Sequence, residues 1–281
     1  MNRRRFTQIA AAVAAAGGLG KTAVSGAQVS SGQAGAVSDA EVERSMKAAM
    51  SDTHHRHIAM LLYPGMYALD LVGPYTFLSG LPNVDVHLVW KTREPVTVGK
   101  NLKMIPTATF EETPGELEAI FVPGGMPGTI SMMEDAQVLD FLADRGSRAR
   151  YVTSVCTGSL ILGAAGLLKG YKATSHWDTR DLLPLLGAIP VDQRVVEDRN
   201  RITGGGVTSG IDFGLVLASR MTDSTFAQML QLINEYDPQP PYRAGTPVQA
   251  GPAMTSHMRS MLLASHERAR TVATAAGKRL G

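Results

Sequence analysis

The chain of 281 residues is expected to be an α/β protein with a mostly parallel sheet sandwiched by helices, flavodoxin-like in plan. Three observations point there. Short apolar runs bounded by glycine and proline alternate with helical patterns from residue 57 to 237, as consecutive βαβ units do. One such run, Tyr151 to Val155, passes straight into a helical pattern with no loop between. No long linker divides the middle and no repeat of fixed period is present, so residues 57–237 read as one domain.

The first 27 residues read as an export signal. Arg3-Arg4-Arg5-Phe6 precede an apolar run from Ile9 to Leu19, and Ser25-Gly26-Ala27 offers a small-x-small cleavage site. The arginine pair ahead of Phe6 points to the twin-arginine route and a periplasmic destination. The apolar run is about half the ~20 residues that span a bilayer, which disfavours a permanent anchor. Of the 27 basic side chains, four (Arg3, Arg4, Arg5 and Lys21) fall in this segment, leaving 23 against 25 acidic ones. A nearly neutral mature chain has no electrostatic reason to bind nucleic acid or an anionic membrane, so a small-molecule partner is favoured.

Residues 28–56 read as a flexible leader with a short helical stretch near Asp39 to Met50. His54, His55 and His57 close it and fit either a metal site or solvated histidines at the start of the first strand; no further cysteine or acidic ligand spacing supports zinc, and solvated histidines are the reading taken. Strands are expected at His57 to Leu62, Asp85 to Trp90, Ala119 to Val122, Tyr151 to Val155 and Ile202 to Thr203. Gly99-Lys100-Asn101 centres a hairpin on the sheet edge between Val96 and Pro106. Helices fit Val72 to Ser79, Met133 to Arg148, Gly158 to Leu168, Asp178 to Leu186 and Ser209 to Asn234. Residues 238–281 read as a proline-rich surface segment followed by a basic amphipathic helix, Ala253 to Ala276. Its Met254, Met258, Met261 and Leu262 are expected to pack on the body or on a second subunit.

Cys156 is the only cysteine, so no internal disulfide forms. It stands between the apolar run and Thr157-Gly158-Ser159, the order strand, nucleophile, helix. A tight elbow there lifts a side chain at the C-terminal end of the sheet, where ligands gather in open α/β folds. The helix N-terminus is expected to favour thiolate over thiol. An inert buried cysteine is the alternative. Gly124-Gly125, after the strand Ala119 to Val122, would let backbone N–H groups reach a substrate. Asp70 fits either a proton shuttle beside the thiol or an N-cap. His176 is a base, a pocket wall or a surface residue, and Trp177 stands beside it. Thr203-Gly204-Gly205-Gly206 lacks the lysine of a P-loop and reads as backbone packing under the site.

These segments together resemble the DJ-1/PfpI superfamily: the Pro123-Gly124-Gly125 strand end, the Ser154-Val155-Cys156-Thr157-Gly158 elbow and the Thr203-Gly-Gly-Gly turn. Within it, Leu69-Asp70-Leu71-Val72-Gly73-Pro74-Tyr75, His176-Trp177 and Gly210-Ile211-Asp212-Phe213 resemble the branch that hydrates isonitriles. The resemblance implies that Cys156 is the nucleophile, that Asp70 and Thr157 support it, and that an isonitrile becomes an N-substituted formamide through a thioimidate. It implies no metal or organic cofactor and a homodimer. Peptidase members carry histidine after the cysteine; Thr157 here argues against that chemistry. A ligand sensor, as found ahead of DNA-binding domains in regulators, and a thiol-based stress or glyoxal-handling protein are the competing readings.

Overall fold

The computed structural model describes residues 37–281, so the expected export signal and the start of the leader lie outside the described residues. A seven-stranded sheet forms the centre, and β8 (Lys172–Ala173) and β9 (Ile189–Pro190) pair apart from it. Its strands are β1 (Arg56–Leu61), β2 (Val84–Trp90), β5 (Ala108–Thr109), β6 (Ala119–Val122), β7 (Tyr151–Val155), β10 (Val195–Asp198) and β11 (Arg201–Gly204). Within that sheet the order is β10-β11-β7-β6-β1-β2-β5, and all pairings are parallel except β10 with β11. The inner strands are apolar on both sides, and β6 is buried throughout, because helices cover both faces.

One helical layer holds α1 (Asp39–Ser51), α2 (Ala68–Leu78), α6 (Ser209–Met221) and α7 (Ser224–Ile233). The other holds α3 (Gly128–Glu134), α4 (Ala136–Arg148), α5 (Gly158–Ala164), a 3-10 helix (Arg180–Leu186) and α8 (Pro247–Leu280). Phe121 of β6 and Phe213 of α6, both fully buried, meet with ring centroids 5.4 Å apart and tie sheet to helix. Burying each such ring contributes roughly 2–3 kcal/mol.

Five inner strands fall where the sequence places them, within two residues at each end. Four expectations need correction. The hairpin, β3 (Val96–Val98) with β4 (Leu102–Met104), is a separate two-stranded sheet, and β5 takes the edge instead. Backbone bonds from Gly65 N–H to Thr97 and from Gly99 N–H to Met66 fasten that hairpin to the loop after β1. The expected helices 133–148 and 209–234 are each two helices, broken where Asp135 and Asp223 cap the following helix by accepting from the N–H groups of Val138 and Phe226. The leader is not loose over 39–51: Ser38 opens α1 with a capping box, Ala49 is buried, and the Ser45 hydroxyl donates to Asp223 at 2.8 Å.

The fourth correction concerns the C-terminal helix. It starts at Pro247, kinks at Gly251 and packs on the body through its second half, Ala269, Val272, Ala273 and Ala276. Met254, Met258 and Met261 stay exposed, so the body does not cover them. Among the described residues no helix is long and apolar enough to cross a membrane.

Candidate active site

The carboxyl ends of β1, β6, β7 and β11 converge on Cys156. Its φ of +57° is a left-handed conformation that a side-chain-bearing residue adopts only when its surroundings enforce it. Here the enforcement is visible. The Cys156 N–H donates to the Gly205 carbonyl at 2.6 Å and toward that of Gly204 at 3.1 Å. The Cys156 carbonyl accepts the hydroxyls of Ser175 at 3.1 Å and Ser159 at 3.2 Å. The Thr203-Gly-Gly-Gly turn thus sits under the elbow, as its composition predicts.

Asp70 lies in the first turn of α2, whose N-cap position is Tyr67, so the capping alternative falls away. The helix begins four residues earlier than its apolar pattern predicts, and this turns the carboxyl inward, where it is fully buried. Its Oδ2 accepts the Gly124 N–H at 2.9 Å, while the Gly124 carbonyl accepts the Tyr67 N–H at 2.9 Å. Among the described residues no hydrogen-bond donor reaches Oδ1, and the Cys156 thiol is near enough to lower the carboxyl's pKa.

Thr157 is also buried. Its Oγ1 accepts the Gly125 N–H at 2.9 Å and meets the Thr129 hydroxyl at 2.7 Å. Thr129 in turn meets the Tyr63 hydroxyl at 3.3 Å, and Tyr63 donates to the Pro123 carbonyl at 2.9 Å. Both glycine N–H groups expected to face a substrate are therefore spent on Asp70 and Thr157. Gly124 must be glycine for this: a Cβ there would stand 2.8 Å from the Cys156 Cβ and 2.7 Å from the Thr157 Oγ1.

Burial dominates the electrostatics. It lifts the Asp70 carboxyl from its ordinary 3.8 to about 6, against the Gly124 N–H and the thiol, which pull it down. Burial also pushes the Cys156 thiol well above its ordinary value, and the Asp70 charge pushes it further. The N–H and hydroxyl of Thr157 oppose this without prevailing. The expectation of a helix-stabilised thiolate is thus corrected: at neutral pH the resting pair is a neutral thiol beside a carboxylate.

His176 lies at the rim, against Gly206; its Nδ1 accepts the Asp178 N–H at 3.3 Å, and burial lowers its pKa, which leaves the ring neutral. Trp177 stacks at a tilt on His176 and faces Arg259 of α8, in a cleft shared with Arg180 and His266. The structure thus gathers Cys156, Asp70, Thr157, Gly124 and Gly125 tightly, with His176 bordering them. Sequence reasoning missed Tyr63, Thr129 and Ser175. Tyr63 and Ser175 each stand two residues beyond a strand end, at Leu61 and Ala173, where a site forms, whereas Thr129 lies inside α3 and carried no such signal.

A model of the DJ-1/PfpI family matches residues 56–220. The isonitrile hydratase of Pseudomonas putida is 54% identical over 202 residues, covering 72% of this chain and 88% of that protein. A THiJ/PfpI family protein from Pseudomonas syringae superimposes with a TM-score of 0.77 at 50% identity, covering 78% of this chain and 91% of that one. A DJ-1 superfamily protein from Salmonella typhimurium, solved as a cysteine-to-alanine mutant, gives 0.59 at 26% identity, covering 65% and 99%.

Proposed function

This chain belongs to the DJ-1/PfpI family, and we propose that it hydrates an isonitrile to an N-substituted formamide with Cys156 as nucleophile. The observation that carries this reading is the buried Asp70 carboxyl beside Cys156, the single thiol of the chain, at the carboxyl end of the sheet. Similarity to the Pseudomonas putida hydratase over most of both chains supports the substrate class.

The geometry sets the order of events. The thiol is the resting form, so Asp70 takes its proton as sulfur attacks the terminal carbon of R–N≡C. Thr157 N–H and hydroxyl stabilise the thiolate character that develops on sulfur. Asp70 then returns the proton to the same carbon, which gives the thioimidate R–N=CH–S–Cys156. Water adds to that carbon with Asp70 as its base, and Asp70 passes that proton to the nitrogen, giving R–NH–CH(OH)–S–Cys156. As the C–S bond breaks, Asp70 takes the hydroxyl proton of this adduct and delivers it to the departing sulfur, which releases R–NH–CHO and restores the thiol. The sum is isonitrile plus water to formamide, with no redox change.

The test is turnover of an alkyl isonitrile by purified protein, with formamide measured by mass spectrometry, beside a methylglyoxal arm. Cys156→Ala is expected to lose turnover by at least a thousandfold while keeping its circular dichroism. Full formamide production by Cys156→Ala, or consumption of methylglyoxal and not of isonitrile by the wild type, overturns the reading. Periplasmic residence and a homodimer are proposed alongside it, on the export signal expected from residues 1–27 and on the family resemblance.

A further inference from the structure

The N-terminal end of the sheet, opposite Cys156, carries a cluster of side chains that the reaction above does not use. His55 and His57 are two residues apart at the start of β1 and so share a face. The parallel register sets Asp85 of β2 directly beside His57, and His87, two residues on, shares that face too. Two short sequence patterns, His-x-His and Asp-x-His, thus become a block of four ligand-type side chains. The histidine pair is visible in the sequence, but its carboxylate partner is not, since Asp85 lies 30 residues away from His55.

One ligand atom each from His55, His57 and Asp85 lie within 4.8 Å of one another. His55 Nε2 stands 2.7 Å from Asp85 Oδ2, and His57 Nδ1 stands 3.1 Å from His87 Nε2. Ligand atoms around one tetrahedral zinc are about 3.3 Å apart, from metal–ligand lengths near 2.0–2.1 Å, so small rotations of half-exposed rings suffice to close the set. The His55 and Asp85 side chains are 54% and 56% exposed, which leaves the position reachable from solvent.

We propose that His55, His57 and Asp85 bind a divalent transition cation of the zinc type, with His87 orienting His57 from behind. Two imidazoles and one carboxylate suit zinc, copper or nickel and are a poor set for magnesium or calcium, which take oxygen ligands. A hydrogen bond from a neighbouring ring to a ligating imidazole is the usual support of such a site. The cation would join the segment after α1 to the first two strands, remote from the thiol.

The test is calorimetric titration of tag-free protein with Zn2+, repeated in Cys156→Ala to remove the competing thiol. One equivalent is expected to bind in both, and Mg2+ is expected not to. His55→Ala, His57→Ala and Asp85→Asn should each weaken Zn2+ at least tenfold while isonitrile turnover measured without added metal stays as in the wild type. His55 precedes the strand, so its variant keeps the test decisive if a strand variant fails to fold. Absence of saturable Zn2+ binding, loss of binding in Cys156→Ala, or undiminished binding in His55→Ala overturns the proposal.

Discussion

Asp70 meets two opposed demands, because the burial that makes it a useful base also penalises its charge. With the pKa raised from 3.8 to about 6, the folded state holds this proton more tightly than the unfolded chain does. Its contribution to stability is therefore full below about pH 4 and is lost as pH rises through about 6, a difference of about 3 kcal/mol. Asp70→Asn removes the buried charge and keeps an acceptor for the Gly124 N–H. It is expected to raise the melting temperature at pH 7 and to abolish turnover; an inactive variant that melts lower would contradict the burial argument. For turnover itself, kcat/KM should fall as pH drops through about 6, because the protonated carboxyl cannot accept from the thiol. On the alkaline side the raised thiol keeps the plateau flat past neutral pH. Cys156, Asp70 and Thr157 were legible because they stand in distinctive local strings, whereas Tyr63 and Thr129 reach the site by a chain of hydroxyls that no string records.

At the scale of elements, the site is built by close approach of the β6 end to the elbow. Gly124→Ala drives a methyl group against Cys156 and Thr157 backbone and side chain, so the glycine strand end must move. Turnover is expected to drop at least a hundredfold with a loss of about 1–3 kcal/mol in urea unfolding; wild-type turnover would show that the contact yields freely. A second element-level device is Asp223, which both caps α7 and accepts from Ser45 of α1. Asp223→Ala removes cap and dock together and is expected to cost about 2 kcal/mol, against about 1 kcal/mol for Ser45→Ala, both read from urea midpoints. The same residue explains an error of reading. The apolar pattern from Ser209 to Asn234 is interrupted by Thr222-Asp223-Ser224-Thr225, where Thr222 leaves the helical conformation and the Phe226 N–H donates to Asp223 at 2.9 Å to open the next helix. Asp135 hides a break between α3 and α4 in the same way. The edge strand β10 escaped notice because half-exposed residues carry no apolar signature. Central strands did carry one, since helices cover them on both faces.

For the whole molecule, the question is whether the C-terminal helix is an appendage or part of the folding unit. Sequence patterning favoured its methionine-rich first half as the packing surface, but the half that packs is alanine-rich. Small side chains bring the α8 backbone close to α5 and the 3-10 helix, and the apolar periodicity of alanines is too faint to read. Ala269, Ala273 and Ala276 are each fully buried there. Such a surface cannot be left open without exposing the core beneath it, so α8 should unfold with the sheet. The two tryptophans report on it from opposite places. Trp90 ends β2 beside Phe110, and Trp177 lies in the cleft facing α8. Urea unfolding followed in Trp90→Phe and in Trp177→Phe is expected to give coincident midpoints, as one cooperative unit requires. Ala273→Asp, which buries a charge in that seam, should lower both midpoints together by about 3 kcal/mol or more. If only the Trp177 signal shifts, α8 peels away by itself and the catalytic sheet stands without it.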